Sequence, residues 1–443
     1  MTKIDFSKRN WAVLVLFGLV GQIAWSVENM YFNLFLFETV APSLESVTLM
    51  VQLSGVVATV VTLVAGTLSD KTGNRRTFIS AGYIIWGITV ALFGFLSPDL
   101  VAGIFGLDSA KAIAVTLGLV IFADCVMTLF GSTANDAGFN AWVTDNTKPQ
   151  FRGTVEGVVA ILPLIAMLIV AGGFGIIVSV IGYKLMFLIL GTVISACGIL
   201  GCFIIKDSKT LGKNGTLKDI FFGFRPSVIK NYSKLYKILL IVGIYGIACQ
   251  VFMPYLIIYM KEYLGFSVVE YSVVFGAAII VGAVINLYLG RLSDRKSKSR
   301  LLYFASAVMS LGLFAMYVSR FGSKITVLLT FGVAGFVMIT GYIFVSALCG
   351  SIIRDNTPEK DAGKLQGVRM VFSVLIPMII GPMIGNAVNK LRNIPLPDMF
   401  SADVMTTEYI PAPEIFLVGA VIMILTFVII PTLKTEKKNA IKD

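Results

Sequence analysis

The stretch GTLSDKTGNRR, residues 66–76, returns in the second half of the chain as GRLSDRKSKSR, residues 290–300. Gly66, Leu68, Ser69 and Asp70 recur as Gly290, Leu292, Ser293 and Asp294, at a constant offset of 224 residues. Upstream, Tyr31, Glu38 and Ser43 recur at the same offset as Tyr255, Glu262 and Ser267, and Leu34 is matched conservatively by Ile258. A second echo runs at an offset of 210, where Asp145-Asn146-Thr147 and Gly157-Val158 match Asp355-Asn356-Thr357 and Gly367-Val368. Polar and glycine positions matched at fixed spacing separate a duplication from chance likeness among hydrophobic segments. The chain therefore reads as two copies of one unit. Parallel repeats built from membrane-crossing segments imply a transporter with its substrate site between the halves.

Composition supports the membrane half of that statement. Hydrophobic residues make up 57% of the 443 and charged residues 14%, and the mean hydropathy is +0.87. A soluble domain could not cover so much apolar surface. Twelve apolar runs, from 11–37 to 413–433, are each long enough to cross a hydrocarbon core roughly 30 Å thick. The expected fold is all-α, with twelve transmembrane helices arranged as two six-helix bundles. Residues 1–205 form the first bundle, 206–236 a basic linker, 237–434 the second bundle and 435–443 a tail. Within 216–236, Phe221, Phe222 and Phe224 among lysines suit either a short helix on the membrane surface or a solvated linker.

A net charge of +11 could suggest nucleic acid, but its placement says otherwise. With the N-terminus inside, the inner segments hold Lys3, Lys8, Arg9, Lys71, Arg75, Arg76, Arg291, Arg295, Lys296, Lys298 and Arg300. Outer loops keep only a few cations, such as Lys111, Lys261 and Arg392, among acids like Glu45, Asp99, Asp398 and Glu414. This is the positive-inside distribution, which puts both termini in the cytoplasm of a cell (inner) membrane. No cleavable leader is expected, because the first apolar run continues into Glu28 and Asn29. Cys125, Cys197, Cys202, Cys249 and Cys349 lie in apolar segments without metal-ligand spacing and read as buried thiols. The sequons at Asn214 and Asn231 fall in the inner linker.

The loop GTLSDKTGNRR resembles the G-x-L-x-D-x-x-G-R-x-x signature between spans 2 and 3 of the major facilitator superfamily. The twelve-span layout and the weaker copy at 290–300 resemble that family too. A smaller resemblance, carried by the D-N-T-x-x-x-x-R-G segment from Asp145 to Gly153, is to glycoside–pentoside–hexuronide and sucrose-type cation symporters. The family resemblance implies that spans 1 and 4 line a central cavity. It also implies that Asp70 belongs to an inner charge latch engaging span 11, where Arg369 is the candidate partner or else snorkels to the headgroups. Gly66 lets helix ends approach, Asp70 can cap the following helix, and Arg75 and Arg76 face anionic headgroups. Gly290 and Asp294 repeat these roles. Melibiose-type symporters carry cation-site aspartates on span 2, yet residues 47–66 here hold no acid. Gly381-Pro382 lies in span 11, whereas proton antiporters carry such a pair in span 5.

An ionisable group inside a bilayer costs roughly 2.5–3.5 kcal/mol on insertion scales, so each one calls for a reason. Asp124 lies midway along span 4, with Thr128, Gly131 and Asn135 on its helical face. It is the candidate for binding a proton or sodium ion; an acid satisfied by a neighbouring hydroxyl is the alternative. Glu28, in span 1, is the second coupling candidate. Beside it runs a polar stripe of Gln22, Ser26, Asn29 and Asn33, with Trp25 adjacent. Amides for hydroxyl groups and an indole face for a sugar's C–H surface suit a carbohydrate. Span 7 adds Gln250 and Tyr255, and Pro254 should kink it. Pro163 and Pro377 are expected to bend spans 5 and 11 likewise.

Nothing resembles an enzyme: there is no nucleotide-binding glycine loop, no metal-ligand cluster and, without histidine, no imidazole base. No cofactor or metal is called for. The leading expectation is cation-driven symport of a sugar or glycoside, with membrane lipids and a proton or sodium ion as partners and one chain sufficient. The alternative is proton-coupled export of amphipathic compounds or lipids.

Overall fold

Inside hydrocarbon each backbone N–H and C=O must find its partner within the protein, and a continuous helix is the simplest way to arrange that. The computed structural model describes residues 7–147, 152–207, 217–293, 297–357, 362–396 and 409–433. Its helices follow the apolar runs. Span 1 is Lys8–Val40, span 2 Leu44–Thr72, span 3 Arg75–Phe93 and span 4 Ser109–Asn146. Spans 7 to 12 are Ser233–Tyr263, Val268–Ile285, Lys298–Val318, Lys324–Asn356, Leu365–Arg392 and Glu414–Leu433. Between them Gly157–Ile204 forms one stretch of 48 residues, which would extend about 72 Å if straight, more than twice a bilayer core. It turns at Gly182, whose φ of 76° and ψ of 167° are open to glycine and strained for other residues. Spans 5 and 6 meet there, and the count among the described residues is twelve, in two pseudo-symmetric sets of six.

Several of the residues that repeat in sequence close helix ends. Ser43 caps span 2 by accepting the Ser46 N–H at 3.1 Å. Its counterpart Ser267 caps span 8, accepting from Glu270 N at 3.3 Å while Ser267 N donates to Glu270 Oε2. The Asp-Asn-Thr echo ends spans 4 and 10 in the same way. Asn146 and Asn356 return their amides to the carbonyls of Trp142 and Ile352, at 2.9 and 2.7 Å. Thr147 and Thr357 return hydroxyls to Val143 and Ile353, at 2.6 and 2.7 Å. These side chains satisfy carbonyls that a helix terminus would leave unpaired.

By packing, the chain divides into two compact units. The first comprises Met1–Ile220, Met253–Gly276 and Pro382–Ala412; the second comprises Phe221–Phe252, Ala277–Gly381 and Pro413–Asp443. In the first, spans 3 and 6 touch backbone to backbone: a Cβ added at Gly87 would lie 2.3 Å from Gly191 O. In the second, spans 9 and 10 do the same through Gly312 and Gly341, facing Met338 and Met309. Small residues at such crossings let dispersion forces and weak C–H contacts act where lipid removes the hydrophobic drive. Span 7 breaks where Pro254 was expected to bend it, with a tight 3₁₀ turn at Met253–Tyr255 after the helix ends at Gln250. A short antiparallel pair, Ile394–Pro395 with Tyr409–Ile410, ties the segment between spans 11 and 12. Asp294, Lys3, Asn214 and the tail 435–443 lie outside the described residues; Gly290 lies in the final turns of helix Val268–Ser293.

A paired substitution tests the close crossing. In Gly312→Ala the new methyl would meet the Met338 backbone nitrogen at 2.3 Å, so overpacking of roughly 1–3 kcal/mol is expected. At Gly335, on the facing span, an added Cβ meets nothing within 4 Å, so Gly335→Ala is neutral or stabilising. Thermal melting in detergent reads the difference, and equal melting temperatures would show that this crossing is loosely packed.

Candidate functional site

Glu28 starts a wide π-helical turn, Glu28–Phe32, within span 1. Such turns leave part of the ordinary ladder unmade and often mark functional positions. The carboxylate is buried and points at spans 2 and 4: Oε1 accepts from Ser54 Oγ at 2.9 Å and from Thr128 Oγ1 at 3.1 Å. The two hydroxyls stand 2.7 Å apart. One turn before Thr128 on span 4 is Asp124, only 1% exposed, with Ser54 as its neighbour too. Glu28 Oε2 and Asp124 Oδ1 are both buried without a hydrogen-bond partner. Among the described residues, no basic side chain is among the groups acting on either acid. Two carboxylates in a medium of low dielectric repel strongly unless a proton or cation shares the site.

A third acid, Asp136, lies within electrostatic reach of Glu28. On a straight helix it falls off the Asp124 face, which is why a period-based reading passes over it. Span 4 widens into a π-helical segment at Ser132–Phe139, and this changes the register. Asn135, which the straight register puts on the cavity face, is instead buried and donates to Tyr83 OH at 2.7 Å; Tyr83 donates to Phe17 O at 2.6 Å. That chain ties spans 4, 3 and 1 together.

Trp25 is half-buried and packs against Trp86 at a tilt of 44°, centroids 5.0 Å apart, with Gly131 beside both rings. Trp86 carries no sequence signal beyond being a tryptophan inside a span; it is fully buried and its indole N–H has no acceptor. Gln22 and Ser26 are half-buried, and Asn29 is exposed with its amide donated to Trp25 O at 2.7 Å. Asn33 is buried and its amide goes to Asn29 O at 3.0 Å, so its donor group serves the helix. In the second unit, Gln250 is half-buried and packs on Gly381, where an added Cβ would lie 2.4 Å from the Gln250 Cβ.

Tyr255 sits at the other end of the first unit from the loop 66–76, fully buried. Its hydroxyl donates to Pro382 O at 2.9 Å and lies 2.7 Å from Thr48 Oγ1. Near it, Glu38 receives Lys261 on one oxygen and Tyr183 OH on the other, the latter at 2.8 Å. Glu45 pairs with Lys390 at 2.8 Å across an exposed rim. Gly175 makes room for the hydroxyls of Tyr271 and Tyr31, which would lie 2.9 and 3.0 Å from a Cβ added there. Residues 253–276 are thus fastened onto spans 1, 2 and 5 at this end, and Lys390 reaches span 2 at Glu45.

Comparison with known proteins agrees with this architecture. The family model described as Major Facilitator Superfamily matches residues 14–382. The chain belongs to the Major Facilitator Superfamily. Among solved structures, it is similar to a bacterial homologue of the iron transporter ferroportin in an outward-facing state, with a TM-score of 0.64 and 12% identity, covering 96% of this chain and 99% of that one. It is also similar to a mutant form of the nucleoside transporter NupG, with a TM-score of 0.66, 11% identity and coverage of 96% and 99%. A third likeness is to a bacterial homologue of the human lysosomal transporter Spinster in an inward-facing, unoccupied conformation, with a TM-score of 0.62, 13% identity and 96% of each chain covered. These likenesses concern the fold. No curated protein sequence matches the chain.

The superfamily's loop motif is arranged differently from the sequence expectation. Arg75 does not face headgroups; it is buried, 4% exposed, with its guanidinium given to Asp70, Asp145 and the Ser69 hydroxyl. A buried cation needs paired acceptors, and Asp145 at 2.9 Å supplies one from the end of span 4. Asp70 does not cap span 3; Asn74 does, accepting from Thr77 N at 3.1 Å. The described partner of Asp70 is Arg75, and Arg369 is exposed on span 11. Arg76 engages the end of span 6, its N–H donating to Asp207 at 2.9 Å and its guanidinium to Cys202 O. Gly66 has nothing within 4 Å of an added Cβ, so it is not a close-approach glycine here. The second unit carries an analogous ion pair, Lys298 to Asp355 at 2.6 Å.

Charge reversal tests the fastening at Glu38. Lys261→Glu sets two acids together and should slow transport several-fold. Glu38→Lys with Lys261→Glu should recover most of that loss, whereas Tyr183→Phe, which removes one hydrogen bond, should be mild. A double variant as slow as the single one would show that this pair plays no part in the cycle.

Proposed function

We propose that the chain is a secondary active transporter that takes up a small polar solute, a sugar or glycoside, by proton or sodium symport. Coupling is assigned to Glu28 and Asp124. The observation that carries this is the pair of buried carboxylate oxygens, Glu28 Oε2 and Asp124 Oδ1, that lack a partner. Ser54 and Thr128 orient Glu28 and link it to Asp124, so a cation arriving at one acid changes the electrostatics of the other. Loading by a proton or sodium ion relieves the repulsion and favours the re-orientation that an empty, doubly charged site opposes. Asp136 is added as a third acid within electrostatic reach of Glu28.

The sugar assignment draws on Trp25, whose ring is only partly covered by Trp86, and on the half-buried Gln22 and Ser26 and the exposed Asn29. Polar groups left uncovered in a span serve a polar solute better than a lipid tail. Asn33 and Tyr255, both buried and internally bonded, are assigned to the scaffold and to the closed end instead. Gln250 keeps a place in the second unit as a contact for the solute. One chain supplies the whole pathway, in the cell membrane with both termini in the cytoplasm, and Asp70, Arg75, Arg76, Gly290, Asp294 and Arg369 act in its gating rather than in recognition.

The test is uptake of labelled monosaccharides and glycosides into vesicles holding the purified protein, with proton and sodium gradients imposed separately. Accumulation under one gradient is expected. Asp124→Asn and Glu28→Gln should each abolish accumulation while leaving solute exchange partly intact, which separates coupling from binding. Full accumulation by both variants would remove the pair from the coupling role.

A further inference from the structure

The linker ahead of span 7 presents two different faces. Its described part begins with a 3₁₀ turn, Leu217–Phe224, and continues as a short helix, Pro226–Asn231, before span 7 starts at Ser233. One face is fastened to the second unit. Gly223 lies directly on Val368 of span 11, so close that an added Cβ would sit 2.3 Å from Val368 Cγ2, and Tyr236 donates its hydroxyl to Gly223 O. Val228 and Leu235 are buried as well.

The opposite face holds Phe221, 69% exposed, Phe224, 43%, and Ile229, 42%. Interleaved with them are Arg225, Lys230 and Lys234, all exposed, with the Arg225 guanidinium 5.7 Å from the Phe222 ring. Residues 221–236 contain these three cations and no acid. A solvated linker has no use for phenylalanines turned outward, and burying them is worth on the order of 2 kcal/mol each. Arg225 stands only eight residues before the start of span 7, so the segment lies at the level where that span leaves the bilayer. The surface always within its reach is therefore the headgroup layer. Aromatic rings that enter the acyl boundary, with cations left among phosphates, are the pattern of an interfacial segment.

We propose that residues 221–234 form a docking surface for anionic phospholipid, with Phe221, Phe224 and Ile229 entering the interface and Arg225, Lys230 and Lys234 meeting the phosphates. Gly223 on Val368 holds this face outward and joins the lipid contact mechanically to span 11. Attraction of these cations falls within a Debye length, so the contact weakens with salt. The proposal does not depend on what is transported.

The experiment is hydrogen–deuterium exchange of the purified full chain in nanodiscs of phosphatidylcholine alone or mixed with phosphatidylglycerol. Peptides covering 221–234 should exchange several-fold more slowly when phosphatidylglycerol is present, and added salt should reverse much of the effect. Peptides from spans 9 and 10 serve as the reference and should be indifferent. Phe221→Ser with Phe224→Ser, and separately Arg225→Gln with Lys230→Gln, should each abolish the protection; all four side chains are exposed, so the fold survives. Equal exchange in the two lipids overturns the proposal, as does protection that persists in both double variants. Exchange that ignores lipid charge but slows on adding an acidic soluble protein would also overturn it, in favour of a protein partner.

Discussion

The absence of water in the hydrocarbon layer governs this molecule. Each peptide group there must be bonded internally, and helices meet that demand one span at a time. What helices cannot meet is the demand at their own ends, and the chain places its repeated polar residues there. Ser43 and Ser267 start spans 2 and 8, while Asn146-Thr147 and Asn356-Thr357 finish spans 4 and 10. A duplicated sequence can drift freely wherever lipid accepts any apolar side chain. It drifts less where a terminus needs a particular donor or acceptor.

The same constraint makes polar groups deep in the spans conspicuous. Asn135, Tyr83 and Phe17 O are matched to one another, and so rigidify spans 1, 3 and 4 without offering anything to a ligand. Glu28 and Asp124 are matched only in part. The proposed coupling role rests on this partial satisfaction, since a group with all its bonds made has no reason to take up or release a cation. Ser54 and Thr128 occupy the intermediate role, fixing Glu28 Oε1 while Oε2 stays available.

At the Tyr255 end the first unit is held by contacts of two kinds. Tyr255 with Thr48 is buried and directional, whereas Glu38 with Lys261 and Glu45 with Lys390 stand progressively nearer to solvent. Exposed ion pairs contribute little stability each, typically below about 1 kcal/mol. That suits the opening and closing which the proposed transport cycle requires. The charge cluster of Asp70, Arg75 and Asp145 is of the other sort, with a nearly inaccessible guanidinium whose loss of partners would be severe.

From sequence alone came the twelve spans, the six-plus-six duplication, the family, the placement of two acids, Asp124 and Glu28, inside spans, and the break at Pro254. The family came from the resemblance of the loop at 66–76; the rest follow from hydropathy, charge, spacing and proline's missing N–H, which are local properties of the chain. Tertiary structure decided the rest. That Arg75 turns inward depends on Asp145 arriving from span 4, seventy residues away. That Asn33 and Tyr255 bond within the protein, and that Asp136 comes within reach of Glu28, depends on a 3₁₀ break and on π-helical turns that shift helical register. Register is not written in composition. It is set by which neighbouring span can accept a side chain's hydrogen bond, and that is known only once the spans are packed.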